Sequence, residues 1–253
     1  MSIAVKETIS FIKGKSSMVN LEEVEKTYLP PEPVSPSTER KVRKGPSGLL
    51  KLYLISYNVA SLAGWAFVLL LAIQQLVSAQ DYKNVFEATW PVLIVVQSTA
   101  LFEIVHALLG WVRTPILTTV MQVASRIFLI WAVNYPFPQI HSHWSYTTMV
   151  VSWCIAEIVR YSYYTTNLAA SVPAFITWAR YTFFLVLYPT GISSELMMTY
   201  QALPYIKAQW GDMYYYAYIV VLALYLPGAP VLFNHMRIQR NKYLKESAAK
   251  KTQ

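Results

Sequence analysis

The sequence is short of charge and almost free of cysteine. Only 13% of its 253 residues are Asp, Glu, Lys or Arg, whereas an ordinary soluble domain carries roughly 25%. Together with 55% hydrophobic residues, that deficit argues against a water-soluble globular fold. The single cysteine, Cys154, excludes an intrachain disulfide and any zinc centre built on several thiolates. No basic face interleaved with exposed aromatics is evident either. The net charge of +8 comes from Lys and Arg at the chain ends and in short loops, which speaks against nucleic acid as a partner. The first residues also lack the apolar run of a signal peptide, because Lys6, Glu7 and Lys13 interrupt it; the first hydrophobic segment is then expected to direct insertion itself.

What is present is a series of long apolar blocks. Six are expected, at about Leu49–Val77, Pro91–Leu109, Pro115–Asn134, Ser145–Tyr164, Ala174–Met198 and Met213–Phe233, each close to the roughly 20 residues a 30 Å hydrocarbon core demands. Pro91, Pro115 and Pro173 mark helix starts, where a missing N–H costs nothing. Many of the 19 Tyr and 8 Trp fall near block ends, as interfacial anchors do. Residues 1–48, rich in Lys, Glu, Ser and Pro, are too polar to pack a core. Arg40, Lys41, Arg43 and Lys44 before the first block, and Arg237, Arg240, Lys242 and Lys245 after the last, place both ends in the cytosol. The loop 135–143 has no Lys or Arg and belongs on the lumenal side. The expectation is an all-α integral membrane protein: a disordered cytosolic tail (1–48), a bundle of six transmembrane helices (49–235) and a basic cytosolic tail (236–253). Lys250-Lys251-Thr252-Gln253 resembles a dilysine retrieval signal, which points to the endoplasmic reticulum membrane.

Ionisable side chains near mid-membrane cost about 2.5–3.5 kcal/mol each on insertion scales, so they face the bundle interior and pair or do chemistry. The second block carries Glu103 and His106, the third Gln122 and Arg126, the fourth Glu157 and Arg160, the fifth Arg180 and Glu195. Their balance of sign predicts mutual pairing. Glu103 and His106 share a helical face, as do Glu157, Arg160 and Tyr161; either group could relay protons, while the simpler reading is a structural ion-pair network of Glu103, Arg126, Glu157 and Arg160. Glu103-x-x-His106 has the spacing of a di-iron ligand pair, but no second such motif accompanies it. Cys154 and Arg160 have the Cys-x5-Arg spacing of a tyrosine-phosphatase loop. The intervening Ile155-Ala156-Glu157-Ile158-Val159 is an apolar helical run with an acid inside it, not a Gly-rich phosphate cradle, so Cys154 is expected to be a small buried residue.

The fifth block contains Tyr188-Pro189-Thr190-Gly191 and then Glu195. Pro189 cannot donate to the carbonyl of Leu185 and Gly191 weakens the same turn, so a kink or an opening of the helix is expected there. A Tyr before it and an acid after it are either a pocket wall or an interfacial anchor with a loop-end residue. Glu157-Ile158-Val159-Arg160-Tyr161-Ser162-Tyr163-Tyr164, Trp178-Ala179-Arg180-Tyr181 and Leu187-Tyr188-Pro189-Thr190-Gly191-x3-Glu195 together resemble the very-long-chain (3R)-3-hydroxyacyl-CoA dehydratase family over about residues 49–245. The resemblance implies a hydro-lyase that converts (3R)-3-hydroxyacyl-CoA to trans-2-enoyl-CoA, the third step of fatty acid elongation. It implies Tyr188 and Glu195 as catalytic residues, no metal or organic cofactor, and as partners the condensing enzyme and the two reductases of the cycle.

The chemistry suits those residue types. Dehydration removes a proton beside the thioester carbonyl and protonates a departing hydroxide, which calls for one base and one acid flanking adjacent carbons. Glu195 is the expected base and Tyr188 the expected acid, with the reverse assignment open. On an unbroken helix seven residues span about 10.5 Å, long for vicinal chemistry, and a break at Pro189 to Gly191 would shorten it. The polyanionic CoA end is expected to meet basic residues on the cytosolic side, Arg113, Arg237 and Arg240. Two alternatives are an inactive scaffold of the same fold, which would have no use for Tyr188 and Glu195, and a proton-coupled transporter, which would show inverted repeats.

Overall fold

The structure, a computed structural model, describes residues 46–78, 80–112 and 114–249. Residues 1–45, Arg113 and the Lys-rich 250–253 lie outside the described residues, and with them most of the expected tail, one expected CoA contact and the retrieval-like signal. Among the described residues there are helices and no strands. They are α1 (Gly48–Ser78), α2 (Val85–Thr99), α3 (Leu101–Leu108), α4 (Ile116–Phe128), α5 (Trp144–Ala169), α6 (Ala174–Thr182), α7 (Phe184–Trp210) and α8 (Asp212–Ala249). Four helical stretches are long and apolar enough to cross a membrane: Gly48–Ser78, Val85–Leu108, Ile116–Asn134 and Asp212–Leu244.

Helix α1 shows how the sequence sorts its faces. Its buried residues are Leu54, Asn58, Ser61, Trp65, Val68 and Ala72, alternately four and three apart, the spacing of a narrow packing seam. The remaining faces carry exposed Leu52, Val59, Phe67, Leu70 and Ile73, which is the outward-apolar pattern a lipid environment tolerates. Gly64 lets α2 approach: a Cβ there would lie 2.7 Å from Val96 Cγ2. The α2–α3 stretch ends at Gly110, whose φ of +67° lets the Gly110 N–H reach Ala107 O at 3.1 Å and the Trp111 N–H reach His106 O at 2.9 Å, a Schellman ending.

Two proline expectations need correction. Pro91 lies inside α2, which starts six residues earlier at Val85, after a turn closed by the Lys83 N–H on Asp81 Oδ1 at 2.9 Å. Helix α7 runs without interruption through Pro189 and Gly191 as far as Trp210; the only interruption in the fifth block is the single residue Phe183. Hydroxyls support the proline turn, with Thr190 Oγ1 donating to Val186 O at 2.8 Å and Ser193 Oγ to Pro189 O at 2.7 Å, as Ser and Thr do around prolines in lipid.

Helix α4 continues into a π-helical turn over Leu129–Asn134. Its wide carbonyls find donors: the Asn134 amide donates to Leu129 O at 2.7 Å and Tyr218 on α8 donates to Ala132 O at 2.7 Å. Helix α5 occupies the centre, packing chiefly on α1 and α7, and α7 in turn packs on α8. The core that fixes this arrangement includes Trp65, Leu93, Ile130, Tyr146, Met149, Trp153, Met198 and Ile206.

Candidate active site

Helices α5 and α7 meet along a seam of small and hydroxyl-bearing residues, the type that lets membrane helices come close. Thr148 Oγ1 lies 2.7 Å from Ser194 Oγ, and Ser152 Oγ lies 3.1 Å from Thr190 Oγ1. Gly191 is buried on this seam, where an added Cβ would stand 3.8 Å from Ser152 Cβ. The seam fixes the rotation of α7 and aims Glu195, 9% exposed, at α5 and α8. There the Trp153 indole N–H donates to Glu195 Oε1 at 2.8 Å, and the Tyr225 hydroxyl donates to Glu195 Oε2 at 3.3 Å. Among the described residues no cation pairs with Glu195.

Tyr188 sits two helical turns before Glu195, on nearly the same face. Its hydroxyl donates to the Ala229 carbonyl of α8 at 3.1 Å, and its ring rests 5.8 Å from that of Phe233. Its phenol lies within electrostatic range of the Glu195 carboxyl. The geometry is a buried acceptor and a phenol on one helix, both facing α8.

A second polar cluster stands one turn along α5. Glu157, 2% exposed, accepts from Arg126 and, at 2.5 Å, from Arg160 Nη2. Arg160 also grips Glu103 with both Nη atoms, at 2.6 and 2.8 Å, and Tyr161 donates to the same carboxylate. The four expected network residues are therefore brought together. His106 stands apart from Glu103's partners, with Nε2 2.9 Å from the Tyr53 hydroxyl and the Tyr57 ring packed edge-on at 4.9 Å. The expectation of general pairing fails for the fifth block: Arg180 lies over the rings of Tyr163 and Tyr164, at 4.4 and 5.3 Å, and Glu195 has only neutral donors. The two clusters touch through Arg126, whose guanidinium sits 5.2 Å from the Trp153 ring centre.

Trp153 and Tyr225 were not expected at the site. For Trp153 a signal existed, since a Trp midway along a block is too deep to be an interfacial anchor. Tyr225 gave none, being one of many tyrosines in the last block. Arg237 and Arg240 lie on the C-terminal part of α8, eight and eleven residues beyond Ala229. That is about 12 and 16.5 Å along the axis by helical rise.

A membrane-type helical bundle with a buried carboxylate and a phenol on one helix defines the class, and the sequence comparisons define the family. The model for "Protein tyrosine phosphatase-like protein, PTPLA" matches residues 97–246, and the chain belongs to that family. It is 42% identical over 212 residues to the very-long-chain (3R)-3-hydroxyacyl-CoA dehydratase PASTICCINO 2 of Arabidopsis thaliana, covering 78% of this chain and 95% of the relative. It is 41% identical to PASTICCINO 2A of Oryza sativa subsp. japonica, covering 80% and 97%. To the very-long-chain (3R)-3-hydroxyacyl-CoA dehydratase 2 of Homo sapiens it is 37% identical, covering 78% and 82%. No solved structure matches. The phosphatase-like label does not describe the geometry: Cys154 is fully buried inside continuous α5, and Arg160 is committed to two carboxylates.

Proposed function

We propose that the protein removes water from (3R)-3-hydroxyacyl-CoA to give the trans-2-enoyl-CoA, the third step of very-long-chain fatty acid elongation, with Tyr188 and Glu195 carrying the chemistry. The observation behind the residue assignment is Glu195 itself. A buried carboxylate that forms no ion pair among the described residues is expensive in a membrane protein and marks a functional position by default. Neutral donors hold it in place while leaving it able to take a proton. Glu195 accepts the C2 proton of the substrate, Tyr188 releases its bond to Ala229 and protonates the leaving hydroxyl at C3, and water departs. An inactive scaffold of this fold would gain nothing from keeping such an acid unpaired.

The surrounding assignments follow from charge and helix number. The chain crosses the endoplasmic reticulum membrane six times with both termini cytosolic: α5 and the α6–α7 stretch join the four apolar stretches as spans, with Glu157, Arg160 and Glu195 facing inward. Arg113, Arg237 and Arg240 meet the CoA phosphates, and the pantetheine arm descends along α8 toward Tyr188. The condensing enzyme and the two reductases of the cycle are its working partners. Conversion of a 3-hydroxyacyl-CoA by purified protein in detergent, lost on Glu195→Gln, tests the reading; folded wild-type protein that dehydrates nothing would overturn it. Glycosylation tags at the termini and in loop 135–143 test the topology, with modification of the loop alone expected.

A further inference from the structure

The continuity of α7 leaves a problem that a break at Pro189 would have removed. Tyr188 and Glu195 stay about 10.5 Å apart along the helix axis, and a substrate can bridge them only while it is bound. After water and enoyl product leave, Glu195 holds a proton it must lose and Tyr188 lacks one it must regain. The net reaction consumes no proton, so the reset requires only a transfer from one residue to the other.

Tyr225 occupies the position for that transfer. It lies on α8 four residues before Ala229, hence on the same face and one turn from the carbonyl that receives the Tyr188 hydroxyl. Its own hydroxyl donates to Glu195 Oε2 at 3.3 Å. Its phenol is within electrostatic range of both Glu195 and Tyr188. Helix α8 thus carries, one turn apart, the phenol that bonds Glu195 and the carbonyl that holds Tyr188, so a Tyr188 phenolate that has left Ala229 has Tyr225 as its neighbour on the way to Glu195.

We propose that Tyr225 is a proton relay that resets the site after each turnover. The Glu195 carboxyl O–H passes its proton to the Tyr225 oxygen while the Tyr225 O–H passes its proton to the Tyr188 phenolate. Two O–H bonds break and two form, Tyr225 ends neutral, and no solvent proton is needed. With acid and base exchanged, the same bridge runs in reverse. The inference rests on Tyr188 and Glu195 being the catalytic pair.

The test compares single-turnover and steady-state dehydration of a 3-hydroxyacyl-CoA by full-length protein in detergent. Tyr225→Phe also removes a donor from Glu195, so its first turnover is expected to slow, but its steady-state kcat is expected to fall at least about tenfold further, at the low end of what a positioned proton-transfer group is worth. The slow phase is expected to speed up with the concentration of a small buffer such as imidazole, whereas wild-type turnover is independent of it. A normal kcat in Tyr225→Phe, or a first turnover slowed as much as the steady state, would overturn the relay. So would buffer-dependent wild-type turnover, a measurement that needs no variant to fold. If Tyr188→Phe and Glu195→Gln both retain activity, the catalytic pair itself is wrong; if both are dead while Tyr225→Phe turns over normally, only the relay is.

Discussion

Glu157 and Glu195 are both buried acids at the α5 core, and the protein treats them in opposite ways. Glu157 is saturated by two guanidinium groups, one of them shared with Glu103. Glu195, linked to that cluster through Arg126 and Trp153, receives an indole N–H and a phenol O–H. The first arrangement neutralises charge and locks three helices together. The second orients a carboxylate without spending its charge. Inside a membrane the difference separates an acid tied into ion pairs from one held only by neutral donors, and it is visible only when partners, not residue types, are compared.

The largest expected effect that would break this comparison is on catalysis. Tyr188→Phe and Glu195→Gln are each expected to lower kcat by about 10²-fold or more, the usual worth of a positioned acid or base. The double variant should lose far less than the product of the two, since residues acting as one unit are non-additive. Rates of purified protein in detergent check this, with near-normal dehydration by either variant counting against the assignment. On the other side, Glu157→Gln leaves Arg126 and Arg160 short of a partner, and breaking a buried pair costs about 3–5 kcal/mol. Its thermal midpoint and yield should drop sharply while the surviving folded fraction still dehydrates. A well-folded, inactive Glu157→Gln would move the chemistry to the α3–α5 network.

A smaller effect sharpens the comparison at its edge. Replacing Arg113, Arg237 and Arg240 together by Gln is expected to raise KM about tenfold or more with little change in kcat, because a charge-assisted contact is worth about 1.5–3 kcal/mol and a remote one acts alike on ground and transition states. An unchanged KM removes them from the CoA path. The smallest effect concerns His141, in the loop between α4 and α5. Its Nε2 lies 2.7 Å from Asn134 O and its ring stacks on Phe86; burial holds its pKa below the ordinary histidine value. A depressed histidine leaves stability intact above the unfolded value of about 6.5 and loses it as pH falls toward the folded one, since the unfolded chain takes up the proton first. Thermal midpoints in detergent should therefore decline below about pH 6.5, and less so in His141→Gln. An equal decline in both would assign it elsewhere.

Much of this was legible in the residues. The helical blocks showed because lipid-facing and core-facing positions are both apolar, so each block reads as one run. The network showed because Glu103, Arg126, Glu157 and Arg160 are the ionisable residues closest to the middle of their blocks. Helix ends were less legible: α7 reaches Trp210 and α8 reaches Ala249, well past Met198 and Phe233, because Gln, Lys, Arg and Ala continue a helix as readily as apolar residues do. The helix does not open at Pro189, where the hydroxyls of Thr190 and Ser193 reinforce the turn. Tyr225 could not be foreseen, since its meaning depends on which turn of α8 lies opposite Glu195.

The low hydropathy of α5 and α7 has a further consequence for biogenesis. Neither is among the stretches apolar enough to cross a bilayer by composition, yet α5 is the helix on which α1 and α7 pack. In chain order α5 leaves the ribosome after α1 to α4 and finds Glu103 and Arg126 already made. Its Glu157 and Arg160 can be matched on arrival. A nascent chain lacking α1 to α4 offers no such partners, so α5 would bring Glu157 and Arg160 to the bilayer uncompensated, at a cost of about 2.5–3.5 kcal/mol each on insertion scales.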